Sequence, residues 1–369
     1  MSVVKVDPRH PDPAVIAAAA ARLRAGELVA FPTETVYGLG ANALDAAAVA
    51  RIYAAKGRPA WNPVIAHVAN ADAARTLSRA WPATAACLAA AFWPGPLTLV
   101  VPKADVVPDV ATAGLDAVAV RVPDHPVALA LLAAAGVPVA APSANRFTQV
   151  SPTTAAHVVR SLGDRVPLVL DGGACAVGIE STVVDCTGDD VVILRPGMLG
   201  RETLEAALAP LGVTVRHAVR TVAHDRPDVG VPDVDVAETG VPEADLPRSP
   251  GMADRHYAPR ADVWLFETTQ REEITRALAP WLAERNAALG AAVASGPAVH
   301  ALLRTGPIAA APEAVRYVPM PTTPADYARE LYGALHEADA TGAALVLIEA
   351  PPADAAWDGV RDRLTRAAR

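Results

Sequence analysis

The sequence has few cysteines and no hydrophobic run long enough to cross a membrane. Its three cysteines, Cys87, Cys175 and Cys186, form no CxxC pair. So small and odd a number argues against a disulfide framework and a structural zinc site, and it predicts a cytoplasmic protein with reduced thiols. The longest apolar run, residues 126–142, is broken by glycine and proline. It is shorter than the roughly 18 residues of a membrane-spanning helix, so we expect no contact with a membrane.

Positive charge, and lysine in particular, is scarce. The chain has 32 Lys and Arg residues against 40 Asp and Glu residues, which gives a net charge of −8. No long segment has the basic excess that is typical of a dedicated nucleic-acid-binding protein. Only three of the basic residues are lysines, Lys5, Lys56 and Lys103. Because lysine and arginine are not interchangeable at a binding site, the lysine at position 56 is a hint of function.

The sequence Lys56-Gly57-Arg58-Pro59 has two explanations. Basic residues in the last helical turn, a glycine cap and a following proline are together typical of the end of a helix. The same two cations are also suited to binding an anion. From these four residues alone, the helix end is the favoured explanation and the anion site remains open.

The order of apolar and Ala-rich segments predicts two α/β domains joined by a linker. Residues 1–210 mix closely spaced strands with helical runs, which favours a twisted mixed sheet with packed helices, because adjacent short strands leave no room for crossover helices. Residues 211–260 are rich in Pro, Asp and Val without a period and predict an extended linker. Residues 261–369 predict a smaller parallel α/β domain. The predicted strands are 27–31, 64–68, 97–101, 117–122, 137–141, 167–171, 181–185, 191–195, 261–266, 291–295, 315–320 and 344–350.

The common nucleotide-binding motifs are missing. There is no P-loop, and the Gly38–Ala43 sequence fits G-x-G-x-x-A but does not directly follow a strand and has no acidic residue at the required distance. We therefore expect no dinucleotide site there, and any nucleotide must bind without a P-loop.

Polar side chains cluster where predicted strands end, and each has an ordinary structural explanation. The hydroxyls can cap helices, and Ser151-Pro152 is predicted to start a helix as N-cap and first residue. Arg121, in an apolar strand, needs a partner, either an internal carboxylate or a carboxylate ligand. His67 alone favours a hydrogen-bonded core residue. Taken together, these loops offer cations and hydroxyls suited to a phosphate chain and a small polar acid.

Several motifs together identify a family. The segments "PTETVYGLGANAL", "AAKGRPAWNPVIAHV", "WPGPLTLV", "PSANRFTQVSPTTAAHV", "GIESTVVD" and "LRPGM" closely resemble the threonylcarbamoyl-AMP synthase family, also called YrdC-like. "SPGMADRHYAP" resembles the linker of its two-domain form, which has a Rossmann-like C-terminal domain. The resemblance implies a nucleotidyltransferase that makes L-threonylcarbamoyl-AMP and pyrophosphate from L-threonine, bicarbonate and ATP with Mg²⁺. Separate tRNA threonylcarbamoyl transferase proteins would then modify the adenosine beside the anticodon, so direct tRNA contact is expected to be weak or indirect.

The resemblance also implies roles for individual residues. Lys56 and Arg58 would be catalytic, and Mg²⁺ would be held through the ATP phosphates rather than by a protein metal site. The residues implied to bind ATP are Lys56, Arg58, Asn62, Ser143, Asn145, Ser151, Arg195 and Tyr257. Those implied to bind threonine are Thr35, His67, Arg121, Ala141 and Ser181.

Two alternatives stay open at this point. Residues 249–259 are predicted to fold over the ATP site as a lid, with Tyr257 near the nucleotide, but the same segment could be a strip that docks the second domain. The chain could also be a catalytically silent nucleotide- or RNA-binding regulator with the same fold.

Overall fold

The computed structural model describes residues 1–218, 256–289, 298–308, 312 and 314–368. Most of the predicted linker and the predicted strand 291–295 lie outside these residues. The described residues form an α/β domain with a large mixed sheet and a second, smaller domain with a parallel sheet. The predicted fold class is therefore confirmed.

The first domain mixes strands and helices along the chain. The strands are β1 Ser2–Lys5, β2 Val29–Phe31, β3 Gly38–Asn42, β4 Ile65–His67, β5 Leu97–Pro102, β6 Ala117–Arg121, β7 Val139–Ala140, β8 Leu168–Asp171, β9 Thr182–Asp185, β10 Val191–Arg195 and β11 Val215–His217. The helices are α1 Pro13–Arg24, α2 Ala46–Lys56, α3 Ala71–Arg75, α4 Ala83–Phe92, α5 Asp109–Thr112, α6 Pro126–Ala135, α7 Ala155–Leu162 and α8 Arg201–Leu208.

The first-domain sheet has the strand order β1-β8-β2-β3-β7-β4-β6-β5-β9-β10-β11. β2 and β3, β5 and β6, and β9 and β10 pair antiparallel, whereas β4 and β6 pair parallel. The predicted strands 181–185 and 191–195 form an antiparallel hairpin, the β9–β10 pair. The β4–β6 register sets His67 opposite Arg121, so two predicted threonine-binding residues lie side by side.

Three strands of this sheet were not predicted. β1 lies at one edge and β11 at the other, and β11 falls inside the range predicted as linker. β3 coincides with the glycine-rich segment that resembles a dinucleotide motif. A side chain at Gly40 would place its Cβ 2.8 Å from Phe31 Cε1 and 2.9 Å from Val139 Cγ1. The glycine therefore allows close packing of the strand.

Helix α2 ends as predicted. Its N-cap is Asp45, whose carboxylate accepts hydrogen bonds from the amides of Ala47 and Ala48. At the other end Gly57 is the C-cap, with φ of 61° in the left-handed region that glycine adopts without strain. Lys56 is the last helical residue and is buried, so the end of the helix places its charge inside the protein.

The second domain is a parallel α/β unit. Its described elements are β12 Asp262–Phe266, α9 Arg271–Leu289, β13 Val299–Leu303, β14 Val315–Pro319, α10 Pro324–Thr341, β15 Leu345–Glu349 and α11 Asp358–Ala367. The sheet order is β12-β15-β13-β14. The predicted strands 261–266, 315–320 and 344–350 match β12, β14 and β15, whereas β13 was not predicted.

The two domains pack directly against each other. One hydrophobic cluster contains Val36, Val150 and Ile179 of the first domain together with residues of α10 and α11. Glycines allow the main chains to meet, because a Cβ at Gly178 would overlap the carbonyl of Ala328, and one at Gly359 would overlap that of Gly197. Among the described helices, none is both long enough and apolar enough to span a bilayer.

Candidate active site

A pocket opens between the strand-end loops of the first domain and the end of the predicted linker. Its walls come from the loop after β2, from β4 and β6, from the loop after β7, and from the segments around β9 and β10. The lining residues are Thr33, Thr35, Val36, Gly38, Arg58, Ile65, His67, Arg121, Ala141, Pro142, Ser143, Glu180, Ser181, Arg195, His256 and Tyr257.

The end of α2 contributes two buried cations. Arg58 donates hydrogen bonds to Asn62 Oδ1 at 2.5 Å and to the Pro63 carbonyl at 2.8 Å, and it faces the pocket. Lys56 Nζ lies behind the pocket wall and donates to the carbonyls of Ser143 and Asn145, each at 2.5 Å. Burial, with Arg58 nearby, holds the pKa of Lys56 well below its ordinary value, and burial lowers the pKa of Arg58 to about 10.

His256 and Tyr257 bring the end of the predicted linker into the pocket. Tyr257 is 1% exposed and has a φ of 62°, and the Ala258 amide bonds to the Thr148 carbonyl at 3.0 Å. In the described part of the chain, Tyr257 Oη and His256 Nδ1 are buried without a hydrogen-bond partner. Such groups cost free energy unless something pairs with them, so both atoms indicate a ligand in this pocket.

The Arg121 side chain has three internal partners, one of which is the Gly95 carbonyl at 3.2 Å from Nε. Its guanidinium forms an ion pair with Glu34 at 2.5 Å and donates to Thr35 Oγ1 at 2.9 Å. The structure shows the internal-carboxylate alternative for Arg121, and because Arg121 also lines the pocket, a carboxylate ligand stays a prediction. His67 is buried, its Nδ1 lies 3.3 Å from the Ile65 carbonyl, and burial together with Arg121 lowers its pKa to about 3. His67 is therefore neutral near pH 7.

Arg195 and Ser181 lie together in the part of the pocket wall that is formed by the start of β9 and the end of β10. Arg195 donates to the Ser181 carbonyl at 3.0 and 3.2 Å and to Ser181 Oγ at 3.2 Å. Ser181 Oγ is also 2.7 Å from Thr98 Oγ1 in the neighbouring strand. These bonds fix one arginine and one hydroxyl at the start of β9, at the edge of the pocket.

The prediction that Ser151 starts a helix is wrong. α7 begins at Ala155, and its N-cap is Thr154, whose side chain accepts from the His157 amide. Ser151 is fully buried, and its hydroxyl instead donates to Glu180 Oε1 at 2.5 Å. A carboxylate from elsewhere in the fold therefore takes the hydroxyl that the local pattern assigns to capping.

The structure brings the thirteen predicted site residues into one region. Those that line the pocket are Thr35, Arg58, His67, Arg121, Ala141, Ser143, Ser181, Arg195 and Tyr257. The remaining four, Lys56, Asn62, Asn145 and Ser151, are each hydrogen-bonded to a residue that lines the pocket or to one another.

Glu180 and His256 are the two charged or titratable lining residues that the sequence did not single out. Each directly precedes a residue that was singled out, Ser181 in "GIESTVVD" and Tyr257 in "RHYAP". Their adjacency to residues predicted to bind substrate was the available signal, but adjacency does not predict what Glu180 or His256 does.

The electrostatics of the pocket favour a polyanion. Burial, followed by the charges of Arg58, Lys56, Arg366 and Arg195, holds the pKa of His256 well below its ordinary value. The pocket walls also contain Arg58, Arg121 and Arg195, and a phosphate chain would supply a counter-charge to such a group of cations.

Comparison with known proteins gives consistent results over the whole chain. Residues 21–197 match the Sua5/YciO/YrdC family model, described as telomere recombination, and residues 201–369 match the model described as threonylcarbamoyl-AMP synthase, C-terminal domain. A threonylcarbamoyl-AMP synthase of Pyrococcus abyssi is 40% identical over 352 residues, covering 95% of this chain and 92% of that protein. One of Bacillus subtilis is 46% identical over 253 residues, covering 68% and 66%.

A solved structure is similar in both domains. The crystal structure of Pyrococcus abyssi Sua5 complexed with L-threonine superposes with a TM-score of 0.82 at 38% identity, covering 100% of this chain and 98% of that one.

Proposed function

This chain belongs to the threonylcarbamoyl-AMP synthase family, and on that premise we propose that it makes L-threonylcarbamoyl-AMP and pyrophosphate from L-threonine, bicarbonate and ATP. One observation carries the proposal. A single pocket combines buried arginines on two walls with hydroxyls and with two buried polar atoms that have no partner among the described residues. Such a set suits a phosphate chain beside a small polar acid.

The reaction has two bond-forming steps that this arrangement suits. The threonine amine adds to the carbon of bicarbonate, and water leaves to give a carbamate. A carbamate oxygen then attacks the α-phosphorus of ATP, and pyrophosphate leaves with the bonding electron pair. In-line displacement at phosphorus is catalysed mainly by positioning and by cations that stabilise the developing charge.

The ATP side of the pocket contains the cations. Arg58 and Arg195 would contact the phosphates, assisted by Ser143, and Tyr257 Oη would donate to a phosphate oxygen. Lys56 would act from behind the wall, because it fixes the loop carbonyls of Ser143 and Asn145. Asn62 and Ser151 would complete the set by holding Arg58 and Glu180.

The threonine side lies along β4 and β6. Arg121 would bind the substrate carboxylate with its guanidinium, and Thr35 or Ser181 would recognise the substrate hydroxyl. Neutral His67 would accept or donate one hydrogen bond, and Ala141 would leave room for the substrate methyl group. This assignment suits a small hydroxylated amino acid rather than a bulky one.

We also propose that Mg²⁺ accompanies ATP. The described residues contain no group of three or more His, Cys, Asp or Glu side chains placed to hold a metal, and both Glu180 oxygens accept protein hydrogen bonds. Mg²⁺ would therefore be held by phosphate oxygens and water. When bound, it would neutralise charge on the leaving pyrophosphate.

The product would be used outside this protein. Separate transferase proteins would move the threonylcarbamoyl group to the adenosine beside the anticodon of tRNA. The net charge of −8 supports weak or indirect contact between this chain and tRNA. Synthesis would take place in the cytoplasm.

A pyrophosphate-release assay with each substrate omitted in turn tests the function. Release is expected only with threonine, bicarbonate, ATP and Mg²⁺ together, and a chelator should abolish it. Equal release without bicarbonate would exclude the carbamate step. Binding of ATP without any release would instead favour the alternative of a silent nucleotide-binding regulator.

A further inference from the structure

Glu180 is a buried carboxylate in the wall of a pocket that we assign to a polyanion. Its residue is 7% exposed, and it lies among the lining residues. An uncompensated negative charge at this position would repel the phosphates of ATP, and removing a carboxylate from water is costly unless a cation pairs with it. The second domain provides that cation.

Arg363 of α11 binds Glu180 through two of its three guanidinium nitrogens. The side chain is completely buried, and Nε donates to Glu180 Oε2 at 2.8 Å. Nη2 donates to the Glu180 carbonyl at 3.2 Å, and Nη1 donates to the Pro196 carbonyl at 2.7 Å and to Asp362 Oδ2 at 3.0 Å. Tyr332 of α10 adds a hydrogen bond to Oε2 at 3.0 Å.

The charge balance follows from these contacts. Burial by itself would raise the pKa of Glu180, but Arg363 and Arg195, with hydrogen bonds from Ser151 and Arg363, hold that pKa below its ordinary value. The carboxylate is therefore ionised, and Arg363 is the cation that pairs with it directly. Glu180 and Pro196 are each next in sequence to a proposed ligand, Ser181 and Arg195, so the same guanidinium also fixes the main chain beside both.

We propose that Arg363 is a positioning residue for ATP binding: it neutralises Glu180 and holds the Ser181 and Arg195 segments, so that the second domain completes the active site of the first. The proposal rests on the proposed function of the pocket. It gives the second domain a defined part in the reaction, although α11 itself carries no residue that lines the pocket.

A double variant that also removes the charge of Glu180 distinguishes this positioning role from a purely structural one. Arg363→Met removes the ion-pair partner of Glu180, whereas Asp362 keeps Arg366 at 3.0 Å. The KM for ATP should rise by about tenfold or more, the scale for losing a hydrogen-bonded charge partner. The KM for threonine should change less. The double variant Glu180→Gln/Arg363→Met removes the anion as well, while the amide introduced at position 180 keeps an oxygen for Ser151 Oγ. It should recover most of the affinity for ATP.

Two further variants support the comparison. Arg363→Gln removes the charge but keeps N–H donors for the Glu180 and Pro196 carbonyls. It would be used in place of Arg363→Met if the methionine variant does not fold. Asp358→Asn is the matched control, because Asp358 lies on the same helix and its carboxylate is 3.8 Å from His217 Nε2 across the domain contact, with both side chains partly exposed. Its kinetic constants should equal those of the wild type.

ATP affinity is measured by calorimetry alongside steady-state kinetics. If the wild type makes no product, the proposed function fails, yet calorimetry still tests Arg363. An unchanged ATP affinity in the single variants would overturn the inference. So would a double variant as impaired as the single one, since loss of structure alone predicts no recovery.

Discussion

Arg121 has internal hydrogen-bond partners and is also a candidate ligand for the substrate carboxylate. It is paired with Glu34 and with Thr35, and it also lines the pocket. An arginine has five N–H donors, so a guanidinium that uses three of them on internal acceptors retains two for a substrate carboxylate. The internal pair would then hold the fork in the orientation that threonine needs.

Replacing Arg121 with alanine should raise the KM for threonine far more than the KM for ATP. Losing a charge-assisted pair with the substrate carboxylate would cost on the order of 1.5–3 kcal/mol. Steady-state kinetics with each substrate varied measures the difference. Glu34→Gln is the control, because it removes the internal charge but leaves Arg121, and it should affect threonine less. An unchanged threonine dependence in Arg121→Ala would mean that the role of Arg121 ends at Glu34.

Tyr257→Phe should separate packing from ligand binding. The Tyr257 hydroxyl is buried without a hydrogen-bond partner among the described residues, so its removal should leave the melting temperature unchanged or slightly raised. If the hydroxyl donates to ATP, the KM for ATP should rise by about tenfold, the scale for losing one hydrogen bond to a charged group.

A docking strip, by contrast, requires only the ring of Tyr257. The ring packs 6.0 Å from that of Tyr332 and lies under Arg363, with 5.2 Å from Cζ to the ring centroid. Wild-type kinetics in Tyr257→Phe would favour that alternative over a lid. Residues 249–255 of the predicted lid lie outside the described residues.

At the scale of one element, the end of α2 bears on whether Lys56-Gly57-Arg58-Pro59 is a helix end or an anion site. The helix ends there with a left-handed glycine, and its last cations lie in and behind the pocket wall. The two explanations are thus compatible, because the helix end places the cations.

Three single variants of this element should behave differently. Lys56→Ala and Arg58→Ala should each reduce turnover by about 100-fold or more, the scale for losing an electrostatic stabiliser of a transition state. Gly57→Ala should lower stability by about 1–2 kcal/mol through its left-handed backbone but retain turnover near that of the wild type. Pyrophosphate release and thermal unfolding give the two readouts. If all three lose activity only in proportion to lost stability, the helix end alone explains the motif.

Other elements show where local sequence is a poor guide. Strands rich in β-branched residues, such as β6 and β10, were predictable because propensity and burial agree there. β3 was not, since a glycine-rich strand is selected by the space between Phe31 and Val139 rather than by propensity. Ser151 was misassigned because its partner, Glu180, is 29 residues away. The role of Glu180 itself depends on Arg363, 183 residues later, which no local pattern reveals.

At the scale of the whole molecule, two histidines face each other across the domain contact. The rings of His157 on α7 and His336 on α10 stack with centroids 3.8 Å apart, and His336 Nε2 lies 3.0 Å from the Ser151 carbonyl. Arg160 donates to the His336 carbonyl at 3.1 Å. Burial, with Arg160 nearby, lowers the pKa of His157 to about 3 and that of His336 to about 4.

Acidification should therefore weaken the folded, docked protein. The unfolded histidines titrate near 6.5, well above their folded pKa values, so the unfolded state binds more protons as the pH falls. The stabilisation is complete above about pH 6.5 and is lost progressively toward pH 4. His336→Gln should flatten this dependence while retaining a donor for the Ser151 carbonyl. Thermal unfolding from about pH 7.5 to about pH 4.5 measures it, and identical slopes in the two proteins would contradict the assignment.

The glycines at the domain contact limit which second domains could be exchanged between related proteins. Since Gly178 and Gly359 bring main chain against main chain, with no room for a Cβ at either position, the docking angle is set by backbone shape. A chimaera that exchanges the second domain between relatives would thus be compatible or incompatible chiefly at these two positions. A single added methyl group at either would act as a wedge, whereas extensive changes elsewhere on the two faces could be absorbed by repacking side chains.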